Sequence, residues 1–204
     1  MKFTILSLSI LVLALLNLFI GSVHIPPREV FDILLGNADM DDAHAYIVVA
    51  NRLPMAVTAI FAGASLAAAG LLLQTAFRNP LAGPSVLGVN SGASLGVAVV
   101  MLAFGGSVTV GSLSLSGNGA VVLGAFIGSM LIMGLLLALS SMLRNSLMLL
   151  ITGIMIGYLT SSVIMLLNFT SRADGIAGYV MWGMSSFGGV SLTRLPLLCG
   201  ISAV

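Results

Sequence analysis

Charge is scarce in this sequence. Only 6% of its 204 residues are Asp, Glu, Lys or Arg, against about 25% in an average soluble domain. So few charged groups cannot cover a water-facing surface. With 59% hydrophobic residues, the solvent that fits is lipid. The formal net charge of +1 excludes the basic field that nucleic-acid binding needs. Lys2 is the single lysine. The chain therefore has no P-loop, whose lysine must reach the nucleotide phosphates, and hydrolyses no ATP by that route. The single cysteine, Cys199, can form neither an internal disulfide nor a thiolate metal site, and its apolar run suits inert packing. No nucleophile, base and orienting group stand at a catalytic spacing, so no catalytic residue, resident metal or cofactor is assigned.

What is present is a series of long apolar runs. Residues 3–20 follow Lys2 and form a first span. The run is longer than the apolar core of a secretory signal, and no A-x-A cleavage site follows it. Residues 21–52 are the most polar stretch. Within it Pro26 to Gly36 predicts a short helix, with proline in the first turn, acids early and glycine at the stop. Between Arg52 and Arg78 there is no charge, enough for a second span. Residues 79–143 again carry none, and the Gly/Ser-rich piece from Gly105 to Gly119 divides them into crossings near 86–104 and 120–140. Arg144 ends the fourth span and residues 147–168 make a fifth. Residues 175–189, with Tyr179, Trp182 and several glycines, suit a short interfacial helix. After Arg194 a sixth apolar run continues to Val204, about half the length a span needs. The expected fold is an all-α polytopic transmembrane helical bundle, with five complete spans plus part of a sixth. It reads as one domain over 1–204, the N-terminal part of a longer protein.

With Lys2 inside, alternation puts Asn79–Pro84 and Arg144 on the cytoplasmic side and residues 22–51 and 170–190 outside. Charge alone does not set this orientation. Lys2, Arg78 and Arg144 would lie inside, and Arg28, Arg52, Arg172 and Arg194 outside.

Small residues recur four apart: Gly63 with Ala67; Gly88, Gly92 and Gly96; Gly124 and Gly128; Gly153 and Gly157. In lipid such stripes let helix backbones approach closely, so these glycines are assigned to helix packing. Gly88 to Gly96 has the wrong spacing for a dinucleotide fingerprint. Asn37 to Asp42 has some features of a calcium loop but lacks its glycine and its final glutamate, so a solvated acidic loop is expected. His24 and His44 stand alone in the sequence, which makes no metal site. The fifth span carries Gly153, Gly157, Thr160, Ser161 and Asn168 on roughly one face. That stripe either lines a polar translocation path or packs helices with its hydroxyls bonded back to the backbone. Pro80 and Pro84 forbid a continuing helix, and Asn79 and Gly83 supply turn chemistry, so Asn79–Pro84 is a sharp reversal between spans.

The stretch RLPMAVTAIFAGASLAAAGLLLQTAFRNPLAGPSVLGVNSGASLG, from Arg52 to Gly96, resembles the FecCD/BtuC-like permease subunits of binding-protein-dependent ABC importers for iron–siderophore, haem and cobalamin. Arg52-Leu53-Pro54, Gln74, Asn79-Pro80-Leu81-Ala82, Pro84, Leu87-Gly88 and Gly92-Ala93 follow that family's pattern in order and spacing. Weaker matches continue at Leu150–Ile154 and Met181–Ser185. Met55 stands where the family has a second arginine, and Gly83 where it has an acid. The resemblance implies a permease of about ten spans in the bacterial inner membrane. It also implies a second permease subunit, ATP-binding cassette subunits that carry the ATPase, and an extracytoplasmic substrate-binding protein. It gives Arg52 a contact with that binding protein, and it supports Thr160, Ser161 and Asn168 as path-lining. The rival readings are a secondary carrier or other polytopic membrane protein with Gly-rich helices, and a non-functional truncated product. Against the carrier stands the lack of intramembrane ionisable residues.

Overall fold

The computed structural model describes residues 2–37, 42–110, 113–143, 146–184, 186–190, 192 and 195–202. Helix dominates: α1 Lys2–Phe19, α2 Pro27–Leu34, α3 Ala43–Tyr46, α4 Leu53–Ala76, α5 Val89–Ala98, α6 Asn118–Ser140, α7 Ser146–Thr170, α8 Ala173–Gly183 and α9 Leu195–Ser202. A two-stranded antiparallel hairpin, β1 Ser107–Val110 and β2 Leu113–Ser116, pairs Ser107 with Ser116 and Val110 with Leu113. It occupies the Gly/Ser-rich piece that divides the third crossing from the fourth.

Among the described residues four helices are long and apolar enough to cross a membrane: Lys2–Phe19, Ala43–Ala76, Asn118–Ser140 and Leu147–Thr170. Their large apolar side chains point outward; Leu6, Leu72, Leu131 and Leu166 are all exposed. That is the inverse of a water-soluble fold and the arrangement lipid favours. The crossing expected at 86–104 is shorter than the others, Val89–Ala103. At about 1.5 Å per residue it rises only about 22 Å. The reason is the αL residue Gly88 (φ 76°) ahead of α5, which leaves Pro84–Gly88 outside the helix.

The second span also differs from expectation. It begins at Ala43 rather than Leu53, because a π-helical turn over Ile47–Arg52 joins α3 to α4. Asp42 starts it, its carboxylate accepting from the backbone N–H of His44 at 3.4 Å. The wide turn lies directly before Pro54, whose ring would clash with a carbonyl one α-turn back. The short helices expected near 26–36 and 175–189 appear as α2 and α8, and Gly36 (φ 77°) ends the first of them. Arg144, expected to end the fourth span, Arg194, expected to open the sixth apolar run, and Asp39 and Asp41 of the expected acidic loop lie outside the described residues.

Packing divides the chain into two compact units, residues 1–67 with 186–204, and residues 68–185. The first is centred on Leu18, Ile25, Val30, Ile33, Ala45, Val48 and Ala56, so α2 and the start of the second span close over the end of α1. The second holds one core of Ala82, Leu87, Leu136 and Leu149 and another of Val97, Val100, Ala120 and Val121.

Candidate functional site

In the second unit, α5 is clasped by α6 and α7. A Cβ on Gly92 would lie 2.6 Å from the carbonyl oxygen of Gly128, and one on Gly124 would lie 2.9 Å from that of Gly96. Cβ atoms on Gly96 and Gly128 would overlap the carbonyls of Gly124 and Gly92 outright. The two antiparallel helices therefore touch backbone to backbone, which only glycine permits. On the other flank, a Cβ on Gly88 would stand 2.8 Å from Gly153 O, and one on Gly153 would stand 2.9 Å from Leu87 Cα. A Cβ on Gly157 would lie 3.3 Å from Ser91 Oγ. Gly63 belongs to the first unit and has open space around it, with nothing within 4 Å of a Cβ there. Of the eight glycines assigned to packing, it is the one that closes no contact.

Helices α5 and α7 run parallel. Gly88 starts beside Gly153, and Ser171 Oγ donates to Leu102 O at 3.0 Å near the far end. Between them lie two cavities, of about 240 Å³ and about 290 Å³. Both are bordered by Ser91 and Ser161. The larger adds Asn90, Ser94 and Tyr179. Burial pushes the Tyr179 phenol above its ordinary range. The result is a seam of hydroxyl and amide groups in otherwise apolar helices.

The three residues expected on a path separate here. Ser161 is exposed and borders both cavities. Its hydroxyl donates to Gly157 O at 2.9 Å, which leaves its lone pairs free to accept. Thr160 is buried, and its hydroxyl turns back to Ile156 O at 2.6 Å and Gly157 O at 2.9 Å. Asn168 is half-buried, two turns beyond Ser161 and outside both linings. Asn90, Ser91 and Ser94 of α5 were missed by the sequence reading. Their 1–2–5 spacing within a glycine stripe reads as packing until α7 is placed beside it.

A third cavity, of about 630 Å³, opens where the C-terminal end of the α5 crossing meets α8. Thr170, Ser171, Arg172 and Asp174 border it, with the chain from Met101 to Gly106 opposite.

The reversal at Asn79–Pro84 is tightly built. Arg78 takes a left-handed conformation (φ 47°), and the Asn79 N–H donates to Gln74 O at 3.0 Å. Asn79 is buried, and its Oδ1 accepts from the N–H of Leu81 at 3.0 Å. That Asx turn sets the direction in which Pro80 and Pro84 leave.

Arg52, assigned to binding-protein contact by resemblance, is 5% exposed. Its Nη1 donates to Leu18 O at 2.8 Å and Phe19 O at 3.2 Å, and its Nη2 donates to Val23 O. The guanidinium thus serves carbonyls that the end of α1 leaves without helical partners. Three of its five N–H donors are thereby engaged within the chain.

Lipid-facing helices, glycine-locked crossings and a polar seam between two parallel helices define a polytopic helical membrane protein. The chain belongs to the FecCD transport family, whose model matches residues 9–204. It is 32% identical over 184 residues to the hemin transport system permease protein HmuU of Yersinia pestis, covering 90% of this chain and 54% of that one. It is 42% identical over 100 residues to the Fe(3+)-citrate import system permease protein YfmE of Bacillus subtilis (strain 168), covering 49% of this chain and 29% of the relative. A solved inward-facing conformation of an ABC transporter assigned to the metal-chelate type superposes with TM-score 0.69 at 26% identity, over 93% of this chain and 55% of that one. The chain spans about half or less of the length of these relatives.

Proposed function

We propose that this chain forms part of the transmembrane permease of an ABC importer that takes up a metal chelate of the iron–siderophore, haem or cobalamin class. The observation that carries the reading is the seam of Ser91 and Ser161 between α5 and α7, in a chain whose family relatives import ferric citrate and hemin. A chelate of this kind is too large for the two seam cavities of about 240 Å³ and about 290 Å³. The seam is read as one wall of a path completed by the rest of the permease and by a second permease subunit. Its acceptors and donors are neutral. They can slide a polar solute without holding it, whereas fixed charges in lipid would bind it or cost too much.

ATP hydrolysis is assigned to separate ATP-binding cassette subunits, and delivery to an extracytoplasmic substrate-binding protein. In the bacterial inner membrane, the turn at Asn79–Pro84 faces the cytoplasm, and residues 22–51 and 170–190 face outward. That places the large cavity beside Arg172 and Asp174 at the outer mouth. Within the path, Ser161 is the primary lining residue, Asn168 extends it, and Thr160 supports it from behind. Arg52 holds the outer end of the first span in place beneath any docking surface.

The reading is tested by purifying the full-length permease, tagged, from its own host after mild solubilisation. We expect an ATP-binding cassette subunit to co-purify, with ATPase activity that rises when the binding protein is added. A permease that purifies intact and free of any ATPase would count against the importer assignment.

A further inference from the structure

Outside the permease seam, one set of side chains converges without a role in it. Glu29 of α2, Asp42 at the cap of α3 and His44 each present a ligand atom, and these atoms lie within 4.8 Å of one another. His44 Nδ1 faces Glu29 Oε1 at 2.5 Å, and Asp42 Oδ1 accepts from the His44 N–H. We propose that Glu29, Asp42 and His44 form a zinc-type divalent metal site that ties α2 to the start of the second span.

Three observations support it. The first is the donor set. One imidazole nitrogen with two carboxylate oxygens suits zinc and its transition-metal neighbours, whereas calcium and magnesium take oxygen alone. The second is electrostatic. Two carboxylates share the cluster, and among the described residues the single ion pair there is the one with His44 itself. With a neutral imidazole the cluster carries two negative charges, which a divalent cation would cancel. The third is geometric. Ligands on a tetrahedral zinc with bonds of about 2.0–2.1 Å stand about 3.3 Å apart. The His44–Glu29 pair therefore needs to open by only about 0.8 Å, and Asp42 needs to close in. Glu29 and His44 are half-buried and Asp42 is exposed, so a fourth position stays open to water. Residues 29, 42 and 44 are separated in the chain by 13 and by 2 positions. A bound ion would thus bridge two helices that otherwise meet through Val30, Ile33, Ala45 and Val48.

The test is a titration of the purified chain in lipid nanodiscs with zinc chloride. Metal content after desalting is measured by atomic emission, and thermal unfolding is followed in parallel. We expect one zinc per chain, and an unfolding temperature that rises with zinc because the ion binds only the folded state. Calcium at the same concentration should do neither. The triple variant Glu29→Gln, Asp42→Asn, His44→Ala should lose both effects. His44→Ala alone should weaken binding by more than ~10-fold, because even residues that merely orient a ligand are worth 10–100-fold. His44→Cys, which restores a zinc ligand, should recover binding. Wild-type protein that retains no zinc overturns the proposal whatever the variants do, and leaves Glu29–His44 as an ion pair only. Equal zinc retention by wild type and a folded triple variant also overturns it.

Discussion

A Cβ on Gly21 would meet Nη2, Cζ and Nε of Arg52 at 2.8–2.9 Å all at once, so the face of the guanidinium rests against the bare Cα of Gly21. This contact lets Arg52 reach back over the end of α1 to Leu18, Phe19 and Val23. A cation at a helix C-terminus also opposes the negative end of the helix dipole. The first span is therefore anchored to the second by a charge as well as by the apolar core around Leu18, Val48 and Ala56.

Removing that charge exposes its cost. Arg52→Ala leaves the buried Leu18 carbonyl without its donor, at about 1–3 kcal/mol, and frees the part-buried carbonyls of Phe19 and Val23 at lower cost. We expect a lower unfolding temperature and reduced protein in the membrane. Gly21→Ala should be destabilising alone but close to silent in the Arg52→Ala background, a coupling that a double-mutant cycle reads directly. Additive effects of the two substitutions would mean that Gly21 and Arg52 do not act together. If Arg52→Glu instead folds and inserts normally while losing only binding-protein affinity, docking and not anchoring is the role of Arg52.

The glycine contacts make opposite demands at two positions of the same spacing motif. Gly96→Ala forces a methyl into Gly124 O, and overpacking of this kind costs about 1–3 kcal/mol. Gly63→Ala meets nothing and gains helix propensity, by up to about 1 kcal/mol. Unfolding of the two variants in mixed micelles should move in opposite directions. Equal losses would contradict the crossing of α5 and α6 described here.

The seam makes a distinction that the α7 stripe alone cannot. In the full-length permease, Ser161→Trp and Ser91→Trp should each cut the initial uptake rate with normal membrane levels. Thr160→Val should leave uptake near wild type, because its hydroxyl serves its own helix. The reverse pattern, with uptake lost in Thr160→Val and kept in Ser161→Trp, would remove Ser161 from the path.

At the reversal, Asn79→Asp keeps the acceptor for the Leu81 N–H, and Asn79→Ala removes it. We expect the alanine variant to lose about 1–2 kcal/mol and to become sensitive to protease at the turn, with Asp intermediate. An alanine variant as stable as wild type would show that Pro80 and Pro84 fix the turn unaided.

Much of this was legible from charge alone. The gaps between Arg52, Arg78, Arg144 and Arg172 mark the second, third and fourth spans and α7, because lipid tolerates few charges. Turn chemistry marked Asn79–Pro84 and Gly36. Three features were not legible. The helix running on from Ala43 through the π-helical turn defeats boundary reading, since Arg52 and Pro54 mark a boundary in sequence that the turn carries the helix across. The fate of Arg52 depends on a carbonyl 34 residues away, a contact no local pattern encodes. Ser161 and Thr160 look equivalent on one helix. They differ only once α5 sits against the Gly153–Gly157 face, which buries one and leaves the other on the seam. The same holds for His44, a lone histidine in sequence that the fold sets against Glu29.

The most direct measurement of the importer assignment is metal-chelate accumulation in the native host with the gene for this protein deleted. Cells would be presented in turn with radiolabelled ferric siderophores, ferric citrate, haemin and cobalamin. We expect uptake of at least one of these to fall to background, to return with the wild-type gene, and to stay low with Ser161→Trp at normal membrane levels. Unchanged uptake of every chelate in the deletion strain would contradict the assignment.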